Sequence, residues 1–474
     1  MGISSVNGGS PITDTQLDVV VQMDQAITDP SATVTINGDH QLNVVLDTTT
    51  DQVKFNHAKG NSPLNSKGEP SYQLQVSFSS SEIVEITVAY GQSNTFGWKT
   101  GDLNTPNTVN QSSSDILMLN SAKTALVAAT DQITSDLSAS LDSGDTDCMI
   151  DYANYFRQYY NSRGTNDLEN VLQVAGAGSS TILDLASGTT PFTNWQNDFS
   201  TICTLITNAG KVPHVTNILY TQGEREVNTN TVSGWASRLV SNIYDPMVSY
   251  IKTTTGQTDD PIMQVVALSM HSTSNNFYDT NLIALEQLSA MELRPGKIKT
   301  TVFTGHMTHT ADGIHLAGDA QRYMRQMQAK YAAYTDLMPL QVQNAKRSGS
   351  NVELYIKGGT GNLQFDYSLH SSTTAKGIRV FNSSSAAVTV NSVTLDNVNR
   401  RVVVALADGG TNGPYTIDGS YFSNNQAGGG QYHANIVPIV DSDSRKGTLS
   451  DCTALGNADL WNPLMPFNLT VEEP

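Results

Sequence analysis

Five short runs of aliphatic and β-branched residues constrain this chain more than any other feature: Ile83 to Ala89, Val171 to Ala175, Val212 to Tyr220, Ile262 to Leu268 and Ile298 to Phe303. Each is short and bounded by polar or glycine-rich sequence, the pattern of a strand buried on both faces. Between them apolar residues recur at helical spacing. Trp195, Phe199, Ile202 and Ile206 form one such stripe, Val232, Trp235, Leu239 and Ile243 a second, and Leu316, Tyr323, Met327 and Tyr331 a third. Strand and helix in alternation predict right-handed βαβ crossovers, hence an α/β domain with a five-stranded parallel sheet covered on both faces. The Trp, Tyr and Met stripes read as core packing.

In such a sheet the reacting groups gather beyond the carboxyl ends of the strands. Three segments stand there: Gly91-Gln92-Ser93-Asn94 after the first run, Gly176 to Ser180 after the second, and Gln222-Gly223-Glu224 after the third. A glycine that stops an apolar strand turns the chain sharply, so Ser93 is presented to a site. Its hydroxyl is a useful nucleophile only if a base takes the proton and donors receive the resulting charge. His315 has the right residue type for the base, and Asp312 stands three residues earlier, where a carboxylate can fix the imidazole tautomer and stabilise the imidazolium. The Ser93 backbone amide is one candidate oxyanion donor, and Gln92 and Asn94 brace the turn.

His306, His309, Asp312 and His315 also recur every third residue and are all possible metal ligands. Gly305, Gly313 and the intervening threonines oppose a regular helix there, so the spacing does not align the side chains and no metal is expected. His306 is instead placed at the rim of the pocket, in reach of substrate.

The flanks follow a different period. Residues 1–80 carry short alternating runs, with Asn37-Gly38 between Thr33 to Ile36 and Gln41 to Leu46, and read as a β-rich attachment or oligomerisation module containing a hairpin. Residues 337–474 return to period two with Gly-, Asn- and Ser-rich turns, which predicts a β-sandwich after the 81–336 domain. The stretch from 97 to about 165 reads as a long insertion with a helix at Tyr152 to Tyr160, of a kind that shapes access to a site.

Net charge excludes one class of partner. At -18, with 15% charged residues, the chain lacks the basic face that nucleic acid requires. Cys148, Cys203 and Cys452 are odd in number and far apart, so they predict neither a disulfide framework nor a zinc site. No signal peptide is expected at the N-terminus, and no run approaches the ~20 apolar residues of a membrane span.

Taken in order, GQSN, QGE and DxxH resemble the conserved blocks of SGNH hydrolases, most closely the sialate O-acetylesterase-like and carbohydrate acetylesterase branch. The resemblance implies an SGNH-type three-layer domain and a serine esterase that removes acetyl groups from a carbohydrate without a cofactor. It makes Ser93, Asp312 and His315 the catalytic set and adds the Gly178 amide and the Gln222 side-chain amide to the oxyanion donors. Glu224 becomes a supporting carboxylate, with a surface pair to Arg225 or Arg238 as the plainer alternative. Thr95, Ser179 and Arg225 depart from the family pattern at positions where Met, Gly and Ser are frequent.

The whole layout resembles bacteriophage tail-spike O-acetylesterases. That implies an O-acetylated capsular or O-antigen polysaccharide as substrate, a homotrimer, a virion location, and contact with another virion protein through the N-terminal region. A bacterial acetylxylan-type esterase and an inactive carbohydrate-binding adhesin are the alternatives.

Overall fold

The computed structural model describes the strands of residues 1–82 and residues 83–96, 116–129, 149–161, 169–229, 231–268, 277–304, 307, 315–316, 318–334, 337–366, 374–419, 421–422, 434–435, 437–442 and 462–474. The chain divides into two compact units, Met1–Ile83 with Gly210–Val212, and Val84–Ala209 with Pro213–Pro474.

The first unit is built of β1 (Val6–Asn7), β2 (Asp18–Gln22), β3 (Thr33–Ile36), β4 (Leu42–Asp47), β5 (Gln52–His57) and β6 (Leu74–Ser77). Its antiparallel sheet runs β1-β2-β5-β4, and β3 pairs separately with β6. The expected β3–β4 hairpin therefore does not form, although Asn37-Gly38 separates these strands. An Asn-Gly signal favours a local turn but does not fix a strand's partner, and here β4 takes β5.

The second unit is organised on one large sheet. β7 (Ile83–Gly91) leads into the single-turn α1 (Ser93–Phe96), followed by β8 (Ile116–Leu119), β9 (Leu126–Ala128) and α2 (Met149–Asn161). Next come β10 (Glu169–Gly176), α3 (Thr190–Asn208), β11 (Val212–His214), β12 (Asn217–Thr221), α4 (Glu224–Thr229), α5 (Trp235–Leu239) and α6 (Asp245–Thr255). β13 (Ile262–Ala267), α7 (Phe277–Leu293), β14 (Ile298–Phe303) and α8 (Gly318–Ala333) complete this region.

The strand order is β14-β13-β12-β7-β10-β8-β9, with β11 also on β7. All five predicted runs lie in this sheet, and those five cores pair in parallel. The sheet is nevertheless eight-stranded. β8 and β9, inside what the sequence reads as an insertion, extend it beyond β10. The third run splits into β11 and β12 at Val215 and Thr216, whose backbone N–H groups donate to the Gln257 side chain at 2.9 Å and to Glu85 at 2.6 Å rather than to a ladder. From β7 the chain builds outward on one side through β10 and on the other through β12, β13 and β14. β7 is thus the topological switch point, where such sheets hold their ligands.

Two apolar layers cover the sheet. Val84, Ile86, Val88 and Tyr90 alternate along β7 toward the layer of Phe192, Trp195, Phe199, Trp235 and Leu239. Ala89, Leu172 and Leu219 face the opposite layer with Tyr152, Phe156, Met324, Met327 and Tyr331. Trp195 and Trp235 are fully buried, and truncating either to alanine costs about 3–5 kcal/mol. Between α5 and α6 a π-helical turn at Val240–Tyr244 presents the Asn242 carbonyl to the Ser187 N–H at 2.9 Å, securing the approach to α3.

The C-terminal part is antiparallel: β15 (Gln341–Ser348), β16 (Asn351–Lys357), β17 (Leu363–Phe365), β18 (Ile378–Phe381), β19 (Ala387–Val388), β20 (Val390–Asp396), β21 (Arg401–Leu406) and β22 (Thr416–Gly419). One four-stranded sheet runs β15-β16-β21-β20, and another runs β19-β18-β22 to the strand Phe467–Thr470. Val352, Leu354, Val402 and Val404 of the first share one core with Ile378, Val380, Ile417 and Phe467 of the second. Met465 packs on Ala267 and Phe303, so the end of the chain folds back onto β13 and β14. No helix among the described residues is long and apolar enough to cross a membrane.

Candidate active site

Three strand ends meet at the switch point with almost no space between their backbones. Gly91 has φ +153° and Gly176 φ +131°. A Cβ on Gly91 would overlap the Thr221 carbonyl oxygen, and one on Gly176 would overlap that of Gly91. Glycine is therefore required at both positions by conformation and by space. The Gln92 N–H donates to the Thr221 carbonyl at 3.0 Å and the Ala177 N–H to the Gly91 carbonyl at 3.1 Å, which locks the starts of all three loops together.

On that base, the turn into α1 lifts Ser93 to the edge of the sheet, where it remains 7% exposed. Its Oγ lies 2.9 Å from Nε2 of the half-buried His315. The structure thus brings together a hydroxyl and an imidazole as a nucleophile and its base require. Asn94 sets this approach: its Oδ1 accepts the Leu316 backbone N–H at 3.0 Å, while its Nδ2 donates to Glu224 Oε1 at 2.7 Å. Asp312 and His306 lie outside the described residues.

Glu224 is 2% exposed and receives the Gln92 side-chain amide on its other oxygen. Burial pushes its carboxyl above the ordinary range, while the hydrogen bond from Asn94 and the charge of His315 act in the opposite direction. One carboxylate thereby ties the Ser93 turn to the third block from inside the protein. It makes no surface pair with Arg225 or Arg238.

Gln222 is also fully buried, and its amide is committed. Oε1 accepts the Trp235 indole N–H at 2.9 Å, while Nε2 donates to the Ser180 carbonyl at 3.0 Å and to Glu226. The family resemblance implies a free Gln222 side-chain donor facing the oxyanion. In the structure both amide hydrogens are spent behind the loop, because a buried amide must satisfy its whole hydrogen-bonding capacity. Gly178 and Ser179 form the exposed crest of this loop. Ser179 occupies the left-handed region with φ 54°, so the backbone keeps a conformation that favours glycine although the residue is serine.

The profile of a carbohydrate esterase family, sialic acid-specific acetylesterase, matches residues 84–334, more than half of the chain. The chain belongs to this family. It is a carboxylic ester hydrolase, and its broad activity is that of a carbohydrate acetylesterase. No curated protein matches the acetylesterase by sequence. Among solved structures it is similar to a carbohydrate acetylesterase from Xanthomonas citri, with TM-score 0.49, 14% identity, and coverage of 96% of this chain and 95% of the other. A protein from Arabidopsis thaliana follows at TM-score 0.39 and 15% identity, covering 52% of this chain and 97% of its own. NanS stands at TM-score 0.39 and 12% identity, with 54% and 98% covered.

Several residues that shape the site of this acetylesterase carry little signal in its sequence. Arg325, fully buried on α8, donates to the Thr95 carbonyl at 2.7 Å and to Gln328 at 2.9 Å, so the last helix grips the turn after Ser93. Gln287 on α7 donates to the Gln222 carbonyl at 2.8 Å and accepts the Leu268 N–H at 2.8 Å. Glu226 sits in a Glu-Arg-Glu segment that reads as a solvated helix start. Its separation of four residues from Gln222 is the one sequence signal of their contact.

Proposed function

We propose that this acetylesterase uses Ser93 to remove O-acetyl groups from a bacterial surface polysaccharide, capsule or O-antigen, as part of a phage tail spike. The observation that carries the serine mechanism is the 2.9 Å approach of Ser93 Oγ to His315 Nε2 at the switch point of the sheet. Ser93 Oγ attacks the acetyl carbonyl as His315 Nε2 takes its proton, and the backbone amides of Ser93 and Gly178 receive the oxyanion. His315 then protonates the departing sugar oxygen. Water, giving its proton to His315, attacks the acetyl-Ser93 carbonyl, and acetate leaves as Ser93 regains the proton. Asp312 is assigned to the second nitrogen of His315, His306 to the pocket rim, and Glu224 to bracing Gln92 and Asn94.

The spike assignment draws on layout: a β unit before the esterase region and two packed antiparallel sheets after it. A homotrimer, attachment to another virion protein through residues 1–80, and a virion location follow from the same assignment. The deciding experiment measures acetate release from O-acetylated bacterial polysaccharides and acetylated xylan by wild type and by folded Ser93→Ala. Release from a capsular or O-antigen polymer by wild type alone is the expected result. Preference for xylan would move the protein to the acetylxylan esterases. Binding of one polymer without turnover would make it an adhesin, and equal release by Ser93→Ala would end the serine mechanism.

A further inference from the structure

Glu226 is a buried acid that the reaction above does not use. It is 0% exposed, and both its oxygens face donors: Oε1 accepts the Ile182 backbone N–H, and Oε2 accepts the Gln222 side-chain amide. The orientation of that amide has one solution. The Trp235 indole N–H can only donate, so Gln222 Oε1 must meet it, and Nε2 must then meet the Ser180 carbonyl and Glu226. Glu226 therefore holds residue 182 directly and residue 180 through Gln222.

Each Glu226 oxygen thus accepts one N–H, the arrangement that two donors on a carboxyl group favour. Burial holds the Glu226 carboxyl above its ordinary range, and its hydrogen bonds and the charge of Arg238 offset this only in part. Among the described residues, Glu224 and Tyr220 also interact with it electrostatically. Downstream of the clamp the loop is fixed again. Ile182 and Leu185 are buried, and the Tyr90 hydroxyl donates to the Leu185 carbonyl at 2.8 Å. Upstream, Ala177 is held on Gly91. What lies between is the exposed crest at Gly178 and Ser179, with Ser179 in a costly left-handed conformation that its neighbours must enforce.

We propose that Glu226 is a positioning residue for the oxyanion loop: through Ile182 and Gln222 it fixes the downstream end of the 178–182 segment and so aims the Gly178 N–H. The inference rests on the esterase reading above. It gives Gln222 a role one step behind the oxyanion, as the strut between a buried acid and the loop.

The test is steady-state hydrolysis of 4-nitrophenyl acetate by wild type, Ser93→Ala, Glu226→Gln, Glu226→Asp and Trp235→Phe, with a melting curve for each. Glu226→Gln keeps the shape but turns an NH2 toward one of two N–H donors. Its kcat is expected to fall roughly 10–100-fold with KM within about threefold, as for a small misplacement of groups that act in the transition state. Glu226→Asp keeps the charge and should recover part of that loss. Trp235→Phe frees Gln222 Oε1 alone and should lower kcat about threefold, which keeps the test open if Glu226→Gln does not fold. Wild-type kcat in both Glu226 variants, or in Trp235→Phe where they do not fold, or a loss confined to KM, overturns the clamp. If wild type shows no turnover beyond Ser93→Ala, the esterase reading itself fails and the clamp falls with it. Ser93-dependent turnover with indifferent Glu226 variants sinks the clamp alone.

Discussion

His315 Nε2 lies 2.9 Å from Ser93 Oγ across 222 residues of chain, and Asn94, next to the serine, holds the residue next to the histidine through the Leu316 N–H. Ser93 and His315 are thus registered by their own neighbours. Ser93→Ala and His315→Gln should each lower kcat for acetate release by at least about 10³-fold, since members of such a set act as a unit. Both should unfold in urea within about 1 kcal/mol of wild type, which separates lost chemistry from lost fold.

Asn94 is an amide between an N–H and a carboxylate, and that order matters. Asn94→Asp keeps an acceptor for Leu316 but sets a second carboxylate against Glu224 Oε1, 2.7 Å from the present nitrogen. Like charges in a buried site raise one of the two pKa values strongly and weaken the fold. Stability at pH 8 should drop by about 2–4 kcal/mol, and much of the loss should return near pH 5 as the pair takes up a proton. A urea titration at both pH values measures this; equal losses at the two would show that charge is not the cause.

Ser179 is held at φ 54° on the exposed crest of the loop. Ser179→Gly relieves the conformation but adds unfolded-state entropy, so stability should stay within about 1 kcal/mol of wild type with activity kept. Ser179→Val forces a β-branched side chain into the left-handed region and should cost about 1–3 kcal/mol together with kcat. Melting curves and acetate release on the same preparations decide it.

At the opposite end of the sheet His214 donates to Glu85 at 3.1 Å and to Asp259 at 3.3 Å, and Glu85 also receives the Thr216 N–H at 2.6 Å. Burial opposes the imidazolium, but the hydrogen bonds and charges of Asp259 and Glu85 outweigh it and push His214 up to about 10 from 6.5. A raised histidine contributes stability that is complete below the unfolded value of 6.5 and is lost as pH rises through the folded value of about 10. His214→Gln should therefore cost about 2 kcal/mol at pH 6 and progressively less toward pH 10. A loss independent of pH across that range would assign His214 to packing alone.

Much of this was legible in the chain. The five strand cores, the Trp195 and Trp235 stripes and the helix over Tyr152 carry strong local periodicity, and periodicity reports burial directly. Gly91 and Gly176 mark the turns, because only glycine fits where three backbones touch. β8 escaped, since Ile116 to Leu119 is four residues in a polar stretch and acquires strand character only from β10 beside it. The Asn37-Gly38 signal misplaces the partner of β3, because a turn signal reports local geometry and not which distant strand will pair. Glu226 and Arg325 were invisible for a related reason: a charged residue reads as solvated until a fold surrounds it with partners.

The sequence by itself determined where strands and helices lie in the esterase region, which serine stands at a strand end, and which histidine opens the final helical stripe. Only the tertiary structure decided that these two meet, that Glu224 faces inward to Gln92 and Asn94, and that the Gln222 amide is spent on Ser180, Glu226 and Trp235. The division has a physical cause. Backbone propensity and hydrophobic period act over a few residues, whereas a hydrogen-bond partner for a buried polar group is fixed only when distant segments exclude water around it.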